Sequence, residues 1–261
     1  MAWSPLGTQF CLELAFGVLL GLCLIPKAPM GLFFFRLMGT TAAVPLLAAA
    51  LLPPVYGGGS YWDGSTLSAL AALAALPLLL GPIKARYRFW GMMWASTATG
   101  AALVFAVSNA PAVSSGSELA LASMSAMATG AVAGGVGLAM VVGHWYLTVP
   151  TLPIATLARL NRFTAVAMLV SAVSVTLLCW MYSEHLATSD QPLFQSFGLF
   201  YLVARVAVGL ALPLLFAWMT AGSLAYQNTR SATGILYAST VLVLIGTAVS
   251  LSLQDKYGMP L

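Results

Sequence analysis

The sequence predicts an all-α integral membrane protein, a bundle of about eight transmembrane helices with both termini on the outer, periplasmic side of an inner membrane. Three observations predict it. Of 261 residues, 61% are hydrophobic and 6% charged, against about 25% charged in an ordinary soluble domain, too few to build a water-facing surface. Apolar runs of about 18 residues or more recur along the chain, each long enough to cross about 30 Å of hydrocarbon at about 1.5 Å per residue. Basic residues collect in every second connection between these runs, the pattern of loops held in the cytoplasm by positive charge.

The first span is expected over 8–26, with Pro26 and Pro29 marking its turn. Met1 to Phe10 contain no Lys or Arg, so the basic n-region of a signal peptide is missing and this helix is expected to be retained. The second span, 32–56, stops at Gly57 to Gly59, and the third covers 66–83. The fourth, 89–109, runs into the stretch Ser108 to Ser117, and the fifth, 119–145, precedes Pro150 and Pro153. The sixth, seventh and eighth are expected over 163–183, 194–221 and 232–253. Runs such as Leu67 to Leu80 and Leu119 to Val142 lack the alternation that a membrane β-barrel needs.

The charges orient this map. Lys27 and Arg36, then Lys84, Arg86 and Arg88, then Arg159 and Arg162, then Arg230 fall in or beside alternate connections. The other connections carry Asp63, Glu118, Glu184 and Asp190. Both termini are therefore expected outside. No connection exceeds about 20 residues, so residues 1–261 read as one polytopic domain without a soluble module. The net charge of +4 is scattered singly rather than gathered in a patch, which argues against nucleic acid as a partner. Cys11, Cys23 and Cys179 lie in spans without CxxC spacing, so neither a disulfide framework nor a zinc site is indicated. The even span count allows a duplicated four-plus-four layout, although no repeated motif supports one.

Charges inside spans are costly, at least about 2.5 to 3.5 kcal/mol each at a helix centre, and so single out functional positions. Two qualify. Glu13 lies roughly 10 Å into the first helix and Arg205 roughly 16 Å into the seventh, both entered from the outer side. Glu13 shares a helical stripe with Gly17 and Gly21, and Arg205 shares one with Gly198, Tyr201 and Gly209. Small residues mark helix packing, so the two are expected to form an ion pair inside the bundle, either to fix helix register or to handle protons or substrate.

A second candidate is His144, Trp145 and Tyr146 at the inner end of the fifth helix. His144 continues a stripe of Gly130, Ala133, Gly137 and Val141, so it is expected to face neighbouring helices. Gln227, Arg230 and Tyr237 lie on the same side and are expected to join it in a quinone or lipid-headgroup pocket. An interfacial aromatic belt, helix capping and snorkelling account for the same residues structurally. The hydroxyls of Ser96, Thr97 and Thr99 are expected to bond locally.

Several activities have no support. His144 and His185 fall at opposite faces, so they cannot ligate one haem iron together. No GxSG motif, paired membrane aspartates or GxxxxGK[ST] loop is present. No metal or covalent cofactor is expected, and quinone is the one candidate ligand. In topology alone the chain is similar to the eight-helix anchor subunits of molybdenum-enzyme respiratory complexes, which interact with quinol. That likeness implies a membrane subunit of an energy-transducing or electron-transfer complex that anchors other protein subunits. A small-solute or ion transporter, with Pro45, Pro53, Pro54, Pro77, Pro82 and Pro213 supplying hinges, is the first alternative. An assembly scaffold built on the small-residue stripe of Met124, Met127, Gly130, Gly134 and Gly137 is the second.

Overall fold

The structure is a computed structural model and is described for residues 3–25, 30–56, 63–77, 81–114, 116–149, 151–189 and 191–261, with side chains omitted at 3, 4 and 56. Pro26, Lys27, Pro29, Gly57 to Gly59, Pro150 and Asp190 lie outside these residues. Nine helices follow among them: α1 (Trp3–Cys23), α2 (Gly31–Tyr56), α3 (Gly64–Ala75), α4 (Ala85–Ser108), α5 (Ser117–Trp145), α6 (Ile154–Met181), the short α7 (Ser183–Thr188), α8 (Ser196–Ala225) and α9 (Thr229–Tyr257). Seven of them, all but α3 and α7, are long and apolar enough to cross a membrane.

Local chemistry sets the helix ends. Asp63 caps α3 by accepting from the Ser65 amide at 3.1 Å, and Asn228 caps α9 by accepting from the Ser231 amide at 3.0 Å. Gly258 ends α9 in the left-handed conformation at φ 72°, which glycine adopts without a Cβ clash. Two elements depart from the expected spans. The third, expected over 66–83, is a helix of 12 residues, about 18 Å long and so shorter than the hydrocarbon by itself; Pro77 follows it. The sixth, expected from 163, starts at Ile154 directly after Pro153. Proline supplies a fixed φ at a helix entrance, and Arg159 and Arg162 are carried inside the helix rather than before it.

The packing resolves into two rings of four helices. In the first, α1 packs on α2, α2 on α3, α3 on α4 and α4 back on α1; in the second, α5 packs on α6, α6 on α8, α8 on α9 and α9 back on α5. The rings meet where α1 lies against α5. A β-carbon on Gly17 would come within 2.0 Å of the Gly130 carbonyl oxygen, and one on Gly134 within 2.4 Å of the Leu14 carbonyl oxygen. Glu13 lies against Gly130, Gly17 against Gly134 and Gly21 against Leu138, so residue numbers rise together and the two helices are parallel. Each contributes glycines four apart, Gly17 and Gly21 on α1 and Gly130 and Gly134 on α5, with Gly17 meeting both of the latter, the spacing that lets membrane helices approach backbone to backbone.

The fold also sorts the charges. Arg159 donates to the Leu24 carbonyl at the end of α1 (2.8 Å), and the Arg88 guanidinium stacks 4.4 Å from the Phe35 ring at the start of α2. These contacts gather the starts of α2, α4 and α6 with the ends of α1 and α5 into one basic end. The opposite end, here the terminal end, holds Asp63, Glu118, Glu184 and Asp255, with Lys256 stacked over Phe197 at 5.0 Å.

Replacing Gly134 by Ile should drive a side chain into the α1 backbone and cost at least about 2 kcal/mol, the upper range for overpacking. Gly137, where a β-carbon would meet nothing within 4 Å, should accept Ala within about 0.5 kcal/mol. Reversible unfolding of both variants in mixed micelles checks the contrast.

Candidate functional site

Several hydroxyls of the spans bond to their own helix. Thr97 and Thr99 donate to the Met93 and Ala95 carbonyls at 2.8 and 2.7 Å, as expected from the sequence. Thr247 donates to Val243 and Ser174 to Val170 in the same way. This back-bonding satisfies a hydroxyl in an apolar setting without a partner from another helix.

Two buried hydroxyls of other helices turn instead to Arg205. Its side chain is 1% exposed, and Nη2 donates to Thr129 Oγ1 on α5 at 2.8 Å and to Ser171 Oγ on α6 at 2.9 Å. Three helices are tied together through one guanidinium. Its Nε has no hydrogen-bond partner. The residue sits in a π-helical segment, Ala204–Ala211, within α8, and such widened turns are frequent at functional sites. Gly209 in the same segment lets α8 meet Gly246 of α9 at backbone contact.

Glu13 lies across the α1–α5 seam from this layer and is 2% exposed. Its Oε1 accepts from Gln9 Nε2 at 2.8 Å, while Oε2 has no hydrogen-bond partner. Gln9 Nε2 also donates to Gln254 Oε1 of α9 at 2.8 Å, and Gln254 donates back to Gln9 Oε1. The two amides form a closed reciprocal pair between α1 and α9. A cavity of about 390 Å³ at the terminal end is lined by both of them, together with Asp63, Ser65, Asn109 and Asp255.

Glu13 and Arg205 each stand in the electrostatic field of the other. The direct ion pair expected from the sequence is not formed: the hydrogen bonds of Glu13 go to Gln9, and those of Arg205 to Thr129 and Ser171. Both charges meet the same turn of α5: Gly130 touches the Glu13 backbone, and Thr129, the residue before it, accepts from Arg205. The sequence names the charges but gives no sign of Gln254, Thr129 or Ser171; Gln9 is detectable as the polar residue one turn before Glu13.

The inner cluster divides among three directions. His144 is exposed, and its Nδ1 lies 3.2 Å from the hydroxyl of Tyr237 on the neighbouring α9. Trp145 turns to α2 and stacks with Phe33 and Phe34 at 5.9 and 5.2 Å. Tyr146 is buried, which pushes its phenol above the ordinary range, and its hydroxyl donates to the Pro153 carbonyl at 2.6 Å. Gln227 occupies the turn before α9 at φ 56°, and Arg230 is exposed in the first turn of α9. His144 and Tyr237 thus share one face, and Trp145 and Tyr146 brace neighbouring structure. His185, with Nε2 3.2 Å from the Tyr257 carbonyl oxygen, sits at the other end of the molecule. Among the described residues no cluster of three or more His, Cys, Asp or Glu suited to a metal occurs.

Removing one member of the buried charge layer leaves the other uncompensated. Arg205→Met should cost about 3 to 5 kcal/mol. Combined with Glu13→Gln, it should cost less than the sum of the two single changes by about 1 to 3 kcal/mol. Strict additivity in a double-mutant unfolding cycle would show that the charges act independently. Comparison with known proteins gives no match, whether to a protein-family model, to a curated protein or to a solved structure.

Proposed function

We propose that the protein is a multi-pass inner-membrane subunit of an energy-transducing complex, and that its own contribution is ion handling at Glu13. One observation carries the reading: a fully buried carboxyl with one unpartnered oxygen is joined through Gln9 to the wall of a cavity at the terminal end. Burying a carboxyl and a guanidinium within a membrane costs several kcal/mol, and such groups ordinarily mark an ion or proton path. Glu13 Oε2 and Arg205 Nε are both left without a hydrogen-bond partner, so each keeps a polar atom able to meet water or an ion.

The orientation belongs to the same proposal. Lys84 and Arg86 stand at the N-terminus of α4 and Arg230 in the first turn of α9, where the helix dipole disfavours positive charge by about 0.3 to 1 kcal/mol. Placement against that preference is accounted for by retention of positive loops in the cytoplasm. The basic end then faces the cytoplasm, both termini face the periplasm, and the Glu13 cavity opens outward.

A second reading is favoured by the His144–Tyr237 contact at an exposed face near Arg230. A paired imidazole and phenol at the membrane surface suits the carbonyl and hydroxyl of a quinone or quinol, which would make the subunit an electron-transfer anchor.

Purified protein in liposomes carrying an internal pH indicator should pass protons or a monovalent cation under an imposed potential. Glu13→Gln should lower that flux at least about tenfold, the effect of losing an essential ionisable group. Equal flux in the two proteins, or none in either, sinks the reading. On the second reading a quinone analogue should bind, and His144→Phe should weaken it while Glu13→Gln leaves it unchanged.

A further inference from the structure

We infer that the species exchanged at Glu13 is a proton, that it enters only from the terminal end, and that the Gln9–Gln254 amide pair is its gate. This rests on the proposed ion-handling role of Glu13 and adds to it the identity of the ion and the route.

The surroundings of Glu13 select the proton. A bound metal cation wants several oxygen ligands, near octahedral for the smaller ions. Here Gln9 meets the carboxyl with its N–H rather than its oxygen. The Thr129 hydroxyl of α5, next in sequence to the Gly130 that touches the Glu13 backbone, accepts from Arg205. Arg205 adds a fixed positive charge to the same layer. A second positive ion beside it is repelled, whereas a proton neutralises the carboxyl and needs one oxygen, the one that is free.

The route follows from what closes each side. Toward the basic end, Gly17 meets Gly130 and Gly134 at backbone contact, and Leu138 lies over Gly21. Leu19, Leu22, Val132 and Val136 are buried around that seam, so the path inward is closed by apolar side chains and backbone. Toward the terminal end stand Gln9 and Gln254, and beyond them the cavity with Asp63 and Asp255 at its rim. Of the other charges on helices packed against α1, Arg36, Arg86, Arg88 and Arg230 lie at the basic end with His144, Glu118 at the start of α5 accepts from Ser114, and Lys256 of α9 lies at the terminal end beside Asp255, over Phe197 at 5.0 Å.

A primary amide has no proton to relay at neutral pH, so the reciprocal pair blocks transfer while it is closed. Rotation of Gln254 away from Gln9 would free one Gln9 N–H and admit water from the cavity to Oε2 of Glu13. The proton then moves from water to the carboxylate oxygen, with no covalent bond to carbon changed; its onward passage, which the proposed flux requires, waits on an opening of the α1–α5 seam that this arrangement holds closed.

The test is infrared spectroscopy of the full-length protein in liposomes, through the carboxylic acid C=O stretch and its shift on transfer to deuterated water. A band that titrates with pH, is lost in Glu13→Gln and moves in Glu13→Asp is the expected result. Its deuterium shift should be at least about tenfold faster in Gln254→Ala and within about twofold of wild type in Leu138→Ala, on the sealed side. No Glu13-dependent band at any pH would overturn protonation. Loss of the band on adding Na⁺ or K⁺ at fixed pH would overturn the choice of ion. An exchange rate raised by Leu138→Ala and not by Gln254→Ala would overturn the route. A titrating Glu13 in a protein that passes no ions in the liposome assay would remove the transport role and leave this inference standing.

Discussion

The approach of α1 to α5 at Gly17, Gly130 and Gly134 is the constraint on which the rest of the molecule depends. Lipid tails are as apolar as leucine, so burying more leucine gives helices no reason to associate in a bilayer. Association has to come from close packing and from polar contacts between helices. At this seam three missing β-carbons let two backbones touch. The two four-helix rings are joined along it, and α5 becomes the most enclosed helix, with 78% of its apolar window buried against 22% for α8.

That seam also places the polar layer. Gly130 touches the Glu13 backbone and the residue before it, Thr129, accepts from Arg205, so the two charges meet the same turn of α5. Each charge then keeps its own partners while feeling the other's field. A direct bidentate pair would be the tighter arrangement. Here the carboxyl keeps one oxygen without a hydrogen-bond partner, an arrangement that lowers stability.

The π-helical turn of α8 serves the same layer. An ordinary α-helix that exposes most of its surface to lipid has little reason to bury an arginine. Widening the turn over Ala204–Ala211 sets Arg205 and Gly209 on the inward side, where one reaches α5 and α6 and the other lets α9 come to backbone contact. The bulk of α8, including Phe197, Phe200 and Trp218, stays outward.

Much of this was legible in the sequence and some of it was not. Apolar run length revealed the helices, because crossing hydrocarbon is a property of one segment at a time. The same holds for the sorting of basic residues to one end, for the local bonding of Thr97 and Thr99, and for the burial of Glu13 and Arg205. The short α3 and the early start of α6 at Pro153 depend on where a helix is capped, which apolar composition alone does not mark. The partners of the buried charges, the exposure of His144 beside Tyr237, and the Gln9–Gln254 pair joining residues 245 positions apart were decided only by tertiary structure. A sequence determines which residues share a helix face; which face meets which neighbour is set by packing between helices, and in a membrane that packing turns on a few glycines whose partners lie more than a hundred residues away.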